Sequence, residues 1–165
     1  MKAICPGSFD PVTFGHLDIV SRTSQMFDEV IVAVGHNMSK SGLFQPHERV
    51  DMIRECVADL PNVSVVLFQG LLVDYCRAHD IGVIAKGLRF GADFDYELQM
   101  SQMNSHLSGV DTMFLPTSAQ WSFVSSSLVR EVALLGGDIG ALVPPPVIDR
   151  IRRKLDERAA LKEEA

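Results

Sequence analysis

The sequence predicts an α/β fold in which five parallel strands form one doubly wound sheet with helices on both faces. Five short apolar runs rich in β-branched residues alternate with longer stretches whose apolar residues recur at helical spacing. Each connection between consecutive runs is long enough for a helical crossover, which parallel strands require. In such sheets ligands bind beyond the carboxyl ends of the strands, near the point where the strand order reverses. The pattern therefore predicts where a site should lie before any of its residues is identified.

The predicted elements alternate along the chain. The apolar run at residues 3–5 is the first strand, and the periodic apolar positions in 17–27 form the first helix. The remaining strands are predicted at residues 29–35, 63–68, 81–85 and 110–115. The remaining helices are predicted at residues 46–60, 71–79, 94–107, 128–135 and 147–164. Pro46 suits the first turn of its helix, and two glycines at 136–137 suit the end of another.

Length and composition predict a single domain. The chain has 165 residues, of which 47% are hydrophobic and 22% are charged. A chain of this size buries roughly two-thirds of its unfolded surface, which is enough for a core without disulfides or metals. We find no internal repeat or low-complexity tract. The predicted domain therefore spans residues 1–165, with a C-terminal helical extension at about 147–164.

Charge and cysteine content narrow the class of protein. The net charge of −6 opposes a general nucleic-acid binder, which should present a basic face. The three cysteines, Cys5, Cys56 and Cys76, are widely spaced, so neither a zinc site nor a disulfide framework is expected. Neither a signal peptide nor a membrane span is predicted, since no stretch approaches about 18 apolar residues. We expect a cytoplasmic protein with reduced, buried cysteines.

The junction between the first strand and the first helix carries the main candidate site. Residues 7–11 read Gly-Ser-Phe-Asp-Pro, and residues 13–16 read Thr-Phe-Gly-His. A strand–turn–helix junction of this kind directs backbone N–H groups and the positive end of a helix dipole into one crevice, which favours an anion. The same residues also fit an ordinary turn followed by a solvated or capping histidine. Spacing alone leaves both interpretations open.

Polar residues also follow the later strands. Lys40 lies in a polar loop after the second strand, and Lys86 and Arg89 flank Gly87-Leu88 at the end of the fourth. Three serines, residues 125–127, precede a helix. Each group has a simpler interpretation, namely a solvated loop, a basic turn or a helix N-cap. Their common place after strands favours a ligand site, because that is where open parallel sheets bind ligands.

The junction resembles a known signature. Residues 7–16 are similar to the G-[ST]-F-D-P-x-[TH]-x-G-H motif of the nucleotidyltransferase superfamily, which has a Rossmann-like fold. Most members carry His-x-Gly-His, whereas this chain has Thr13 in place of the first histidine. The Thr-x-Gly-His version resembles the bacterial phosphopantetheine adenylyltransferases. The departure argues against any role that needs two imidazoles.

Other motifs of that family occur in the same order. Residues 121–127, Trp-Ser-Phe-Val-Ser-Ser-Ser, resemble its serine motif, and residues 37–44 resemble its lysine-containing loop. Residues 93–100 resemble its Asp-Phe-[DE]-Tyr-Glu-x-Gln block. The resemblance runs from Ala3 to about Pro144. In the predicted helix at residues 94–107, Met100, Met103 and Leu107 are interpreted as core or subunit contact, not as a cofactor site.

The resemblance implies a reaction and a set of residues. The reaction is attack of 4′-phosphopantetheine on ATP, in line and without a covalent enzyme intermediate, to give dephospho-coenzyme A and pyrophosphate with Mg²⁺ on the ATP. The implied catalytic residues are His16, as a transition-state stabiliser, with Lys40 and Arg89. The implied ATP-binding residues are Ser8, Phe9, His16, Gly87, Leu88, Arg89, Glu97, Trp121, Ser122, Phe123, Val124, Ser125, Ser126 and Ser127. The implied phosphopantetheine-binding residues are Ser8, Lys40, Leu72 and Lys86.

Three other functions stay open from the sequence. A sister enzyme acting on nicotinate mononucleotide usually keeps His-x-Gly-His, and a cytidylyltransferase usually carries a different serine motif. A non-catalytic ATP-binding module is the third alternative. The resemblance further implies a homohexamer and feedback by coenzyme A, with no nucleic-acid or membrane partner. No metal-ligand cluster is predicted in the chain itself.

Overall fold

Five strands and six α-helices alternate in the computed structural model, which describes residues 1–35 and 42–163. Side chains are described except at residues 92, 93 and 158–163. The strands are β1 (Lys2–Gly7), β2 (Glu29–Gly35), β3 (Val63–Phe68), β4 (Val83–Leu88) and β5 (Asp111–Pro116). The helices are α1 (Phe14–Ser24), α2 (Pro46–Cys56), α3 (Leu72–Ala78), α4 (Gly91–Ser108), α5 (Ser126–Leu134) and α6 (Pro145–Glu163). A short 3₁₀ helix, Ala119–Trp121, precedes α5.

The five strands form one parallel sheet in the order β3-β2-β1-β4-β5. The predicted doubly wound parallel sheet is therefore confirmed. The order reverses at β1, which pairs with β2 on one side and β4 on the other. Six residue pairs join β1 to β2, from Lys2↔Glu29 to Gly7↔Val34. Only Ala3↔Val83 and Ile4↔Ile84 join β1 to β4, so these two strands separate towards their carboxyl ends.

Both faces of the sheet are covered, because alternate residues of each central strand are buried on opposite sides. Ile4, Ile31 and Ile84 pack with Cys76 of α3 on one face. Ala3 and the other alternate strand positions pack with apolar residues of α1, α2, α5 and α6 on the other face. This two-sided burial explains why the strands are nearly continuous apolar runs.

Local hydrogen bonds shift some element ends from the predicted positions. The fourth strand begins at Val83, two residues later than predicted, because the Ile81 N–H donates to the Cys76 carbonyl and closes α3. The first helix ends at Ser24 and excludes Phe27. Buried Thr23 donates its hydroxyl to the Ile19 carbonyl there, and such local side-chain bonds compete with continued helix.

Two expectations about buried residues are wrong in part. Met100, Met103 and Leu107 on α4 are exposed and are not core, with Met103 54% exposed. Cys5 and Cys76 are buried as expected, but Cys56 is only half-buried. All three are free thiols. Among the helices described, none has the length and apolar character needed to cross a membrane.

The C-terminal helix α6 is an integral part of the packing. Val147 and Ile151 are at most 1% exposed and belong to the same buried cluster as Met52 of α2. At its surface, Arg150 pairs with Glu55 at 2.6 Å and Lys154 pairs with Glu48 at 2.9 Å. The helix therefore stabilises the start and end of α2.

Replacing Ile151 by alanine tests this contribution. Ile151→Ala should lower the free energy of unfolding by about 2–5 kcal/mol, since buried methyl groups are removed and a cavity is left. Denaturant unfolding at fixed protein concentration measures the change. Exposed Arg152 on the same helix provides the matched control, and Arg152→Ala should change stability by less than about 0.5 kcal/mol. Equal effects of the two variants would show that α6 is not docked.

Candidate active site

His16 is fixed at the third position of α1 by a reciprocal capping interaction. Thr13 is the N-cap, and its hydroxyl oxygen accepts from the His16 backbone N–H at 3.3 Å. The His16 ring replaces the glutamate of the usual capping box: its Nδ1 accepts from the Thr13 backbone N–H at 3.0 Å. Because Nδ1 is an acceptor, the proton of the neutral ring lies on Nε2. Thr13 therefore orients the histidine and sets its tautomer.

The surroundings of His16 keep its ring neutral. Burial and the positive charge of Arg89 together lower the pKa of His16 from 6.5 to about 4, and burial makes the larger contribution. The residue is half-buried, so packed atoms exclude water from part of the ring while the rest lines the cavity beside it. Phe9 forms one side of this packing, edge to face with the imidazole at 5.0 Å between centroids. At neutral pH the side chain is a neutral Nε2–H donor.

His16 opens into a cavity of about 340 Å³, here called the His16 cavity. It lies where β1 and β4 separate, and its lining includes Cys5, Pro6 and Gly7 of β1 and residues 85–87 of β4. Most of the residues that the resemblance assigns to ATP line it. They are Phe9, His16, Gly87, Arg89, Glu97, Val124, Ser125, Ser126 and Ser127.

A second cavity of about 520 Å³, here called the Leu72 cavity, adjoins the first. Three of the four residues assigned to phosphopantetheine, Ser8, Leu72 and Lys86, line it. The fourth, Lys40, lies outside the described residues. Apolar side chains of α4 complete the lining, and they are Met100, Met103 and Leu107, the residues expected in the core or in a subunit contact.

Lys86 and Glu97 belong to both cavities and form the wall between them. Their side chains make an ion pair in which Lys86 Nζ lies 3.3 Å from Glu97 Oε2. Both side chains are about a quarter exposed. The pair therefore contacts whatever occupies either cavity.

Five residues of the predicted ATP set do not line the His16 cavity, and one of them, Ser8, lines the Leu72 cavity instead. Trp121 stacks on Phe14 at 5.0 Å and packs against the core, and the Ser122 hydroxyl donates to the Ala119 carbonyl. Phe123 is exposed, and Leu88 ends β4. Trp121, Ser122 and Phe123 directly precede the N-cap region of α5 in the chain.

The three serines before and within α5 have partners in the protein. Ser125 is the N-cap and accepts from the Leu128 N–H at 3.1 Å. The Ser126 hydroxyl donates to the Pro11 carbonyl at 2.7 Å, and Ser127 accepts from Arg130 at 3.3 Å. The capping interpretation is therefore correct, and it coexists with a place in the cavity lining. The positive end of α5 faces the same cavity as that of α1.

Sequence reasoning missed a buried charge cluster beneath the site. Asp10 accepts from the backbone N–H groups of Leu43 and Phe44, both at 2.9 Å, and lies 3.5 Å from Arg49. Arg130 approaches the same carboxylate at 3.6 Å. One signal was available: Arg49 precedes Val50 on the apolar face of α2, where a charge must be paired if buried.

Comparisons with known proteins show what the chain is similar to. Residues 4–132 match the family described as cytidylyltransferase-like. A phosphopantetheine adenylyltransferase of Nocardioides sp. (strain ATCC BAA-499 / JS614) is 62% identical, covering 93% of this chain and 97% of its own. Another, from Streptomyces coelicolor, is 56% identical, covering 95% and 99%. A Vibrio parahaemolyticus protein, provisionally described as a nicotinate-nucleotide adenylyltransferase, matches with TM-score 0.68 over 93% of both chains, but 18% identity shows the fold alone.

The neutrality of His16 can be measured directly. Titration of its ring resonances by NMR should give a pKa of about 4, and His16→Gln, which removes the resonance, assigns it. Because the folded pKa lies below the usual 6.5, the unfolded chain binds more protons between these values. The stabilising contribution of the neutral ring is therefore complete above about pH 6.5 and is lost as the pH falls towards 4. A measured value near 6.5 would contradict the exclusion of water from the ring.

Proposed function

This chain belongs to the phosphopantetheine adenylyltransferases, a branch of the cytidylyltransferase-like nucleotidyltransferases, and from that premise we propose how its two cavities divide the substrates. The reaction is transfer of the adenylyl group of ATP to 4′-phosphopantetheine, giving 3′-dephospho-coenzyme A and pyrophosphate in coenzyme A biosynthesis. ATP binds in the His16 cavity and phosphopantetheine in the Leu72 cavity. The observation that carries this division is the shared wall of Lys86 and Glu97, which brings the two substrates together.

His16 acts on the α-phosphate of ATP. Its Nε2–H donates to a non-bridging oxygen, and the bond strengthens as negative charge grows there in the transition state. A neutral donor already fixed by Thr13 needs no reorganisation during the step. The N-terminus of α1 adds a favourable dipole at the same place.

The acceptor phosphate needs little chemical activation. It is already an anion at neutral pH, so it attacks the α-phosphorus while the bond to the β-phosphate oxygen breaks and pyrophosphate leaves. The protein contributes position and charge neutralisation, as in other phosphoryl-type transfers. Lys86 and Lys40 bind the acceptor phosphate. Ser8 and Leu72 contact the same substrate from the lining of the Leu72 cavity.

The triphosphate lies towards α5 and the end of β4. Arg89 and the first turn of α5 favour the β- and γ-phosphates, because a guanidinium and a helix N-terminus both attract anions. Arg89 Nη1 donates to the Val124 carbonyl at 3.3 Å, which holds it beside the serines. Trp121, Ser122, Phe123 and Leu88 complete the nucleotide site as the resemblance implies.

Mg²⁺ accompanies ATP in this proposal. Within residues 1–35 and 42–163, no group of three His, Cys, Asp or Glu side chains could hold a metal by itself. The cavity does offer hard oxygen donors in Glu97 and the serines, which suit a magnesium ion bound mainly by phosphates and water. When bound, the ion would neutralise charge on the departing pyrophosphate.

Further proposals concern the whole molecule. We propose one domain and a cytoplasmic location, since the cysteines are free thiols, as in a reducing compartment. A hexamer is supported by the exposed apolar side chains of α4, which include Met103 and Tyr96. Feedback by coenzyme A is supported by the likeness of that molecule to the reaction product.

Pyrophosphate release tests the reaction and the role of His16 together. Purified protein with ATP and Mg²⁺ should release pyrophosphate when 4′-phosphopantetheine is present, and not with nicotinate mononucleotide or with CTP and glycerol 3-phosphate. His16→Ala should lower kcat by about 10²–10³, the scale of losing one preorganised transition-state donor.

Exposed His79, at the end of α3, supplies the matched control. His79→Ala should keep wild-type turnover. Wild-type turnover in a folded His16→Ala variant would remove His16 from the mechanism. ATP binding without release by the wild type would instead support a binding module.

The division of the cavities is tested by lysine variants. Lys86→Ala and Lys40→Ala should raise the KM for phosphopantetheine more than the KM for ATP, because each removes a cation from the acceptor phosphate. Initial rates with one substrate varied at a time measure both constants. Lys2, at the opposite end of β1, pairs with Glu29 on the surface, so Lys2→Ala should change neither. A change confined to the KM for ATP would reverse the assignment.

A further inference from the structure

Asp10 is a buried carboxylate near the site, and it lines neither cavity. Only 6% of the residue is exposed. Its two oxygens accept from successive backbone N–H groups, Oδ2 from Leu43 and Oδ1 from Phe44, each at 2.9 Å. Arg49 Nε lies 3.5 Å from Oδ1, and Arg130 Nη1 lies 3.6 Å from Oδ2. Such bonds join the loop after β1 to the chain just before α2 and to α5.

The two arginines also donate hydrogen bonds to backbone carbonyls of the loop after β1 and of the segment before α2. Arg49 donates from Nε to the Phe44 carbonyl at 2.8 Å and from Nη1 to the Ser8 carbonyl at 3.3 Å. Arg130 donates to the Asp10 carbonyl itself. The loop is thus held on both sides of Phe9 by groups that lie outside it in sequence.

Phe9 is the residue that needs such restraint. Its φ is +48°, in the left-handed region, which costs a residue with a side chain about 1–2 kcal/mol. In that conformation its ring lies over Gly7, where an added Cβ would be only 2.9 Å away, and against the His16 imidazole. If Phe9 relaxed, the His16 ring would lose the aromatic contact that packs one side of it and would keep only its bonds to Thr13.

We propose that Asp10 is a positioning residue for adenylyl transfer: its carboxylate, bound by Leu43, Phe44, Arg49 and Arg130, holds Phe9 in place and thereby places the His16 ring. Asp10 touches no substrate and acts through Phe9. The inference rests on the proposed role of His16.

Asp10→Asn is the informative variant. The amide keeps the volume but offers one acceptor and one donor where two N–H groups now point, so one of them loses its acceptor. We expect kcat to fall by about 10- to 100-fold, the scale of a displacement of about 1 Å at the reacting centre. The KM for ATP should change by less than about threefold, because the cavity lining is kept. The pKa of His16 followed by NMR should rise as water reaches the ring.

Glu48→Gln is the control for a general weakening of α2. Glu48 is also a carboxylate at the start of α2, accepting from the Gln45 N–H at 2.6 Å and pairing with Lys154, but it makes no contact with the loop after β1. The Glu48→Gln variant should have a lower melting temperature, with kcat and the His16 resonance unchanged. Arg49→Lys keeps the charge but cannot reach both carbonyls, so its kcat should fall severalfold, and it decides the question if Asp10→Asn does not fold.

Wild-type kcat in folded Asp10→Asn, or in Arg49→Lys, would overturn the proposal. An equal fall in kcat for Glu48→Gln would overturn it too, because the effect would then be one of stability. A failure of the proposed role of His16 is distinguishable from a failure of this inference. In that case His16→Ala would keep wild-type activity, whatever the result for Asp10→Asn.

Discussion

The position of β1 in the middle of the sheet is the constraint on which the site depends. It is hydrogen-bonded to β2 along its whole length but to β4 only near its start, so a crevice opens where the last residues of β1 and β4 separate. Pro6 lies at that point and has no N–H to continue the ladder. The residues that line the crevice are those freed from pairing, followed by the loop and the first turn of α1. Strand order and one missing stretch of ladder thus create the space that we propose for the reaction.

Within that crevice, the His16 ring is neutral while the side chains at the end of β4 are cationic. A protonated histidine would bind the phosphates of substrate and product strongly at all stages, whereas a neutral Nε2–H gains most when charge grows on the α-phosphate. Burial beside Phe9 and the nearby charge of Arg89 keep the ring in that neutral form. The cationic side chains at the end of β4 supply the general attraction for anions. The proposed mechanism therefore assigns recognition of charge and stabilisation of the transition state to different residues.

The sequence predicted those features that depend on local patterns. The parallel sheet followed from apolar runs buried on both faces, and the helix starts followed from Pro46 and Ser125. The fourth strand began later than predicted because a bond from Ile81 to Cys76 closes the preceding helix, and no local pattern encodes that choice. Exposure of the α4 methionines depends on what packs over them, which spacing cannot show. Residue roles came from the resemblance, since spacing alone left each polar cluster open to a simpler interpretation.

The Asp10 cluster could not be predicted for a different reason. Its partners lie from 33 to 120 residues away in sequence, so only the folded chain brings them together. Local reasoning assigns an aspartate in a Gly- and Pro-containing loop to the turn itself. Here the buried carboxylate instead satisfies the backbone of a different segment, and two arginines compensate its charge.

The contact between Lys86 and Glu97 explains why residues assigned to different substrates are neighbours. The new bond joins the acceptor phosphate to the α-phosphorus, so the proposed division of the cavities requires the reacting atoms to meet at the wall that the two cavities share. A pair with each partner about a quarter exposed contributes no more than about 1 kcal/mol, so exchanging Glu97 for a phosphate at Lys86 costs little. Before substrates bind, the carboxylate balances the lysine charge and holds its side chain across the wall. In the proposed mechanism, the same lysine is then already at the place where the two phosphates approach each other.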